Sequence, residues 1–160
     1  MAKVLLTGAS GFVGSHVLPA LLDAGHHVVA LCRSERVGAK VQSRIERGGE
    51  RLHVRVGDIE NEDSVVAAAT GCDAIVHLVA IPRDWSGGRE LDRVNHLGTA
   101  HVVAAAQRAG VRRFVHLGAL GVEERAGLNY ASSKARGERV VRTRYWVDPE
   151  VCTEIGRAHV

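Results

Sequence analysis

"TGASGFVG", residues 7–14, sets Gly8, Gly11 and Gly14 three apart, between an apolar run and a stretch of helical pattern. The run before it, "KVLL" (3–6), has the length and β-branched content of a buried strand. Such a turn needs positions without a Cβ, so that the backbone can approach a pyrophosphate. The helix that follows offers unpaired N–H groups and the positive end of its dipole to the anion. A bare glycine pattern is weak; at the strand–helix junction of an N-terminal βαβ unit it is strong. The competing reading is a turn that packs helix on strand and holds no ligand. The candidate nucleotide contacts here are Gly8, Ser10, Gly11, Phe12, Val13 and Gly14.

The same alternation continues along the chain. "HVVALC" (27–32), "LHVRV" (52–56), "AIVHLV" (74–79) and "RFVHL" (113–117) read as strands, and 12–24, 35–47, 61–69, 89–109 and 129–142 as helices. "NEDS" opens the third helix with acids that suit the dipole, and "AGV" at 109–111 supplies a glycine stop to the fourth. Pro19, inside the first helix, removes one backbone bond and is expected to kink it. Near-continuous apolar strands between helices predict an α/β fold, a doubly wound parallel sheet with helices on both faces. With aromatics at 4%, Val, Leu and Ala must fill its core. The 160 residues suffice for one domain, burying roughly 70% of the unfolded surface.

Several function classes are excluded. Net charge is only +3 and the arginines are dispersed, so the clustered phosphate contacts of a nucleic-acid binder are missing. Three cysteines, Cys32, Cys72 and Cys152, show no CxxC spacing, and none of the nine histidines sits in an HExxH-like arrangement; no metal is expected. The first apolar stretch is far too short for a signal segment or a membrane span. The expectation is a cytoplasmic protein with no membrane span.

The residue ending the second strand discriminates between the two nicotinamide dinucleotides. An acid there would accept from the adenosine ribose hydroxyls. "LCRSER" instead places Arg33 there, whose guanidinium can bind a 2′-phosphate bidentately. NADP(H) is therefore favoured over NAD(H), the alternative being a solvated surface arginine. After the third strand, "GDIEN" offers Asp58 to the adenine amino group and Ile59 to the ring face; Asp58 reads equally well as a turn former or helix cap.

These residues resemble the short-chain dehydrogenase/reductase superfamily, in its extended and atypical branches. "TGASGFVG" matches their glycine motif. "GDIENEDSVVAAATGCDAIVHLVA" is similar to the passage that ends at the cofactor, which adds Leu78, Val79 and Ala80 as contacts. "VNHLGTAHVVAAAQRAGVRRFVHLGALG" is similar to their fourth helix and fifth strand, and "YASSK" to their Tyr-x-x-x-Lys motif. The likeness covers about residues 2–142 and is read as nearest to the NAD(P)H-binding proteins related to the NADH–ubiquinone oxidoreductase accessory subunit. It implies a Rossmann-type domain with Tyr130 as proton donor or acceptor. Lys134 would ease ionisation of the phenol and hold the nicotinamide ribose. The family also places a Ser or Thr at the end of the fifth strand; here Gly118 and Ala119 stand there, and no serine or threonine occurs from Ala100 to Ala131. Ser132 and Ser133 lie on the Tyr helix and are poor substitutes. Loss of such a donor typically costs about 10²–10³ in rate.

Two functions follow as expectations. One is an NADP-dependent reductase, epimerase or dehydratase-like enzyme acting on a small carbonyl, alcohol or sugar-nucleotide-type substrate. The other is an accessory or sensor protein that holds NADPH without turnover. The resemblance also implies a homodimer seam formed by the fourth helix and the Tyr helix. In "AIPRDWSGGRE" (80–90), Trp85 and Arg89 are read as loop packing before substrate contact, and Asn95 as a buried hydrogen-bonding residue. Family members continue into a sixth strand and a substrate-binding part, so residues 1–153 are read as an incomplete dinucleotide-binding domain. "EIGRAHV" (154–160) is encoded by GAG ATC GGA AGA GCA CAC GTC, most of which is a common sequencing-adaptor string, and is read as a non-native tail.

Overall fold

Leu5 and Leu6 are neighbours on strand β1 (Lys3–Thr7), yet each is fully buried in a different core. Alternation along a pleated strand sends them to opposite faces, so both faces of the sheet must be covered. The computed structural model describes residues 1–145 and 153–158. β1 joins β2 (His27–Cys32), β3 (Leu52–Val56), β4 (Ala74–His77), β5 (Arg113–Ala119) and β6 (Thr153–Ala158) in one sheet, ordered β3-β2-β1-β4-β5-β6. Every pairing is parallel.

Leu6, Val28 and Ala30 pack with Leu18 and Leu22 of α1 (Phe12–Asp23) and Val41 of α2 (Glu35–Gln42). Leu5, Val29, Ile75 and Phe114 pack on the other side, with Val65 of α3 (Glu62–Ala69), Val102 of α5 (Thr99–Arg108) and Val141 of α6 (Asn129–Tyr145). This is the doubly wound arrangement expected. The strand order reverses between β1 and β4, and a crevice opens there outside the carboxyl ends of the strands.

Local chemistry sets the helix ends. Ser34 Oγ accepts from the Val37 N–H at 3.3 Å to start α2, and Asn61 Oδ1 accepts from the Ser64 N–H at 3.1 Å to start α3. Gly110, at φ 71°, stops α5. Three expectations need correction. α2 ends at Gln42 rather than 47, because beyond the buried Val41 the segment "QSRIERG" presents no continuous apolar stripe. β4 ends at His77 rather than 79; Leu78 and Val79 begin the loop instead. The expected helix 89–109 is three segments: a single turn α4 (Arg89–Leu91), a π-helical stretch Asp92–Gly98, and α5. α1 continues through Pro19.

β6 aligns Thr153 with Phe114 and Ala158 with Ala119. The edge of β5 offers its N–H and C=O groups to any extended segment. Residues 146–152 and 159–160 lie outside the described residues, so the tail read at 154–160 is described only in part.

Candidate nucleotide-binding site

Gly8 sits at φ +82°, and a Cβ there would meet the Leu78 carbonyl carbon at 3.1 Å and the Val79 nitrogen at 3.2 Å. The glycine turn and the exit of β4 therefore touch through backbone alone. Gly14 is buried beneath the turn, where a Cβ would fall 2.1 Å from the Gly8 oxygen and 2.7 Å from Ala9 Cα. Gly8 and Gly14 thus have separate reasons to lack a side chain, one conformational and one of close packing. The Gly11 N–H donates to the Gly8 carbonyl at 3.0 Å and closes the turn, and the Ser15 N–H donates to the Gly11 carbonyl at 2.9 Å. The N–H groups of α1's first turn have no carbonyl one turn back to bond.

At the switch point lies a cleft of about 220 Å³. Of the residues singled out in the sequence, Gly8, Ser10, Gly11, Arg33, Asp58, Ile59, Leu78, Val79 and Ala80 line it. Four distant chain segments meet in one cavity. Phe12, Val13, Gly14 and Lys134 do not line it. The Phe12 side chain is exposed and packs on His16, with ring centroids 5.0 Å apart, which leaves Phe12 only its backbone N–H to offer. Thr7, Cys32, Gly57, Glu60, Ile81 and Val94 also line the cleft and were missed. Most of them flank strand ends already singled out, and that adjacency was the available signal.

Arg33 is exposed at the end of β2, with no ion pair among the described residues. Asp58 has a local structural task. Its Oδ1 accepts from the Glu60 N–H at 3.1 Å, and its backbone N–H donates to Ser64 Oγ.

Asn95 is buried, as expected, and it organises the far wall. Its side chain accepts from the Ile81 N–H at 2.8 Å and donates to the Ile81 carbonyl at 3.0 Å and to Ser133 Oγ at 3.1 Å. The π-helical stretch carries it there, in keeping with the occurrence of such bulges at functional sites. Trp85 is 95% exposed, which overturns the expectation that it packs the loop. Asp84 holds that loop instead, accepting from the N–H groups of Ser86, Gly88 and Leu91 and from Ser86 Oγ. Partial desolvation pushes this carboxyl up, but the bonds from Leu91, Gly88 and Ser86 outweigh it and hold Asp84 at about 2.

α6 carries the Tyr–Lys pair. Tyr130 is half-buried and does not line the cleft. Lys134 is 3% exposed, and its Nζ donates to the Leu117 carbonyl at 2.7 Å. Burial pushes this ammonium below its ordinary range, while Glu138 opposes the shift. Near the missing serine, the Ala119 N–H is already taken by Glu138 Oε1 at 3.0 Å. Ser132 Oγ is bonded to the Arg125 backbone, and Ser133 Oγ donates to the Tyr130 carbonyl. None of these groups is free to replace the hydroxyl.

Behind the cleft wall runs a buried polar chain. Thr99 Oγ1 donates to the Asn95 carbonyl at 2.8 Å, so it must accept from His77 Nε2–H at 3.1 Å. The neutral ring then accepts at Nδ1 from the Thr7 hydroxyl at 2.6 Å. Burial first, and the Lys134 charge second, hold His77 down at about 3. His116 stacks on it with centroids 5.4 Å apart, and neither of its nitrogens has a partner among the described residues.

A larger cavity of about 730 Å³ opens between the loops at 87–89 and 124–127 and α6, lined by Arg89, Asp92, Arg125, Asn129 and Arg136 among others. It is more open and lies away from the glycine turn, so the smaller cleft is the better nucleotide site.

A family model described as NAD(P)H-binding matches residues 8–145. The chain belongs to the NAD(P)H-binding family. Within this family it is 37% identical to the 3-beta-hydroxysteroid dehydrogenase of Mycolicibacterium neoaurum, over 72% of this chain and 31% of that one. It is 36% identical to the UDP-glucose 4-epimerase of Klebsiella pneumoniae, over 71% of this chain and 86% of that one. Among solved structures, MoeE5 in complex with UDP-glucose and NAD superimposes with a TM-score of 0.75 at 26% identity, over 97% of this chain and 52% of the other. The chain thus spans about a third of that dehydrogenase and half of MoeE5. The extended short-chain dehydrogenase/reductase assignment holds. The likeness to the ubiquinone-oxidoreductase accessory subunit finds no support in these relatives, which are dehydrogenases, reductases and epimerases. Among the described residues no helix is long and apolar enough to cross a membrane, and no cluster of metal-ligating side chains occurs.

Proposed function

We propose that this domain binds NADP(H), in preference to NAD(H), and serves an oxidoreductase or epimerase-like reaction on a carbonyl, alcohol or sugar-nucleotide-type substrate. The observation that carries this reading is the single cleft in which the glycine turn, Arg33, the Asp58–Ile59 turn and the Leu78–Ala80 exit meet. In it the turn at Gly8–Gly14 would take the pyrophosphate and Arg33 the 2′-phosphate. Asp58 and Ile59 would flank the adenine, and Leu78, Val79 and Ala80 would line the path toward the nicotinamide. When bound, the dinucleotide supplies the hydride. Lys134 has two further N–H donors beyond the one given to Leu117, enough for a ribose diol. Tyr130, one turn earlier on the same helix, is the proton donor or acceptor. We place the protein in the cytoplasm.

A second reading has its own support. The β5 end carries Gly118, and the Ala119 N–H is already committed to Glu138. No serine-like donor among the described residues polarises a carbonyl, which favours a protein that holds NADPH without turning over substrate. Titration with NADPH and NADH, followed by cofactor oxidation across a carbonyl panel, separates the two. NADPH binding with turnover supports the enzyme, and binding without turnover supports the sensor. No binding of either nucleotide would sink both. We further propose that residues 154–160 are adaptor-derived, and an uninterrupted genomic reading frame through them would refute that.

A further inference from the structure

α6 presents Tyr130, Lys134 and Glu138 one turn apart on a single face. Lys134 and Glu138 are buried, and each takes a backbone group at the end of β5. Lys134 Nζ donates to the Leu117 carbonyl at 2.7 Å, and Glu138 Oε1 accepts from the Ala119 N–H at 3.0 Å. Groups two residues apart leave a strand on the same edge, so the two side chains grip β5 on either side of Gly118. β4 has already ended at His77, opposite His116, so among the described residues no strand pairs with this stretch on the β4 side.

A carboxylate 6% exposed, with a single backbone hydrogen bond, is costly to bury unless a cation lies nearby. Lys134, four residues earlier on the same face, is that cation. The other titratable groups acting around this ammonium are His116 of β5 and His77 of β4, both kept neutral by burial. Tyr130 lies on α6 itself. Among the described residues, Glu138 is the acid that opposes the loss of the Lys134 proton.

We propose that Glu138 is a positioning residue: it keeps Lys134 an ammonium and fixes the β5 end where Gly118 replaces the family hydroxyl. It thereby sets the pH range over which Lys134 holds a nucleotide ribose. The ribose consequence rests on the nucleotide reading of the cleft; the Lys134–Glu138 coupling does not.

The chain has three lysines, Lys3, Lys40 and Lys134, so ¹³C-labelled lysine NMR follows Lys134 directly, with Lys134→Met assigning its signal. Glu138→Gln keeps an oxygen for the Ala119 N–H and removes the charge. In nucleotide-free protein the Lys134 midpoint should fall by about one pH unit in this variant, the lower end for removal of a close opposite charge. The alkaline limit of NADPH affinity should fall with it, while affinity at pH 6 stays within about twofold, since the ammonium persists there in both proteins. An unchanged Lys134 midpoint overturns the proposal. Should Glu138→Gln not fold, Glu138→Asp decides: its shorter side chain draws the carboxylate back from the ammonium, so the Lys134 midpoint must fall, and an unchanged one refutes the coupling. If the wild-type chain binds no NADPH, the nucleotide reading and the ribose consequence fall together, while the midpoints still judge the coupling.

Discussion

Replacing His116 by leucine should leave the domain at least as stable at pH 7.5 and roughly halve its sensitivity to mild acid. His116 is 1% exposed, and both its ring nitrogens lack partners among the described residues. The wild-type fold therefore bears the desolvation of unpaired polar atoms, of order 1–3 kcal/mol, which an apolar side chain of similar size removes. His77 is different, because its two nitrogens join Thr7 to Thr99. Both rings stay neutral in the fold well below the ordinary imidazole value of 6.5, His77 down to about 3. Below pH 6.5 the unfolded chain binds protons that the folded one refuses, so stability falls as pH falls, until the folded value is reached. From pH 7.5 to 5.0 each such ring costs about 2 kcal/mol. Wild type should lose about 4 kcal/mol over that interval and His116→Leu about 2 kcal/mol, against the 5–15 kcal/mol typical of a domain. Asp84 does not interfere, since its depressed value acts only as pH falls from near 3.8 toward 2. Urea unfolding at the two pH values, at constant ionic strength and with unchanged m, measures the difference. Equal losses in the two proteins would refute the reasoning, as would a marked destabilisation of His116→Leu at pH 7.5.

Three further outcomes are expected. Gly14→Ala drives a Cβ into the Gly8 carbonyl and should cost about 1–3 kcal/mol in thermal unfolding. It should also weaken NADPH binding at least about tenfold by calorimetry, because the turn must open to admit the methyl group. Asn95→Leu leaves the Ile81 N–H and carbonyl without side-chain partners, so it should cost about 1–3 kcal/mol and speed hydrogen exchange at Ile81. Arg33→Asp should shift nucleotide preference toward NADH in competition titrations, and an unchanged preference would remove Arg33 from the account.

The parts of the fold legible in the sequence are those written in local pattern. The apolar runs of β1 and β2 were long enough to read because both their faces are buried, and the glycine spacing named its own turn. The π-helical stretch was not legible, because its cause is tertiary: Asn95 must reach Ile81 and Ser133. Gly137, whose Cβ would lie 2.5 Å from the Asn95 carbonyl, lets α6 come close enough for that. The His77–His116 stack had a readable trace in the paired strings "IVHL" and "FVHL". Aligning two parallel strands in register places one histidine beside the other. Trp85 was misread because the order of its loop comes from Asp84, whose bonds to the 86–91 backbone no hydrophobic pattern reports. Glu138 was passed over because a glutamate one turn past a lysine looks like an exposed helix pair until β5 is laid against it.

The central claim, that this cleft is built for a 2′-phosphorylated adenine dinucleotide, is tested most directly by calorimetric titration with 2′,5′-ADP and 5′-AMP, which share the adenosine and differ at the phosphate assigned to Arg33. The account predicts saturable one-to-one binding of 2′,5′-ADP, about tenfold or more tighter than 5′-AMP, as a charge-assisted bidentate contact provides. Equal affinity for the two, or no binding of either, would contradict it.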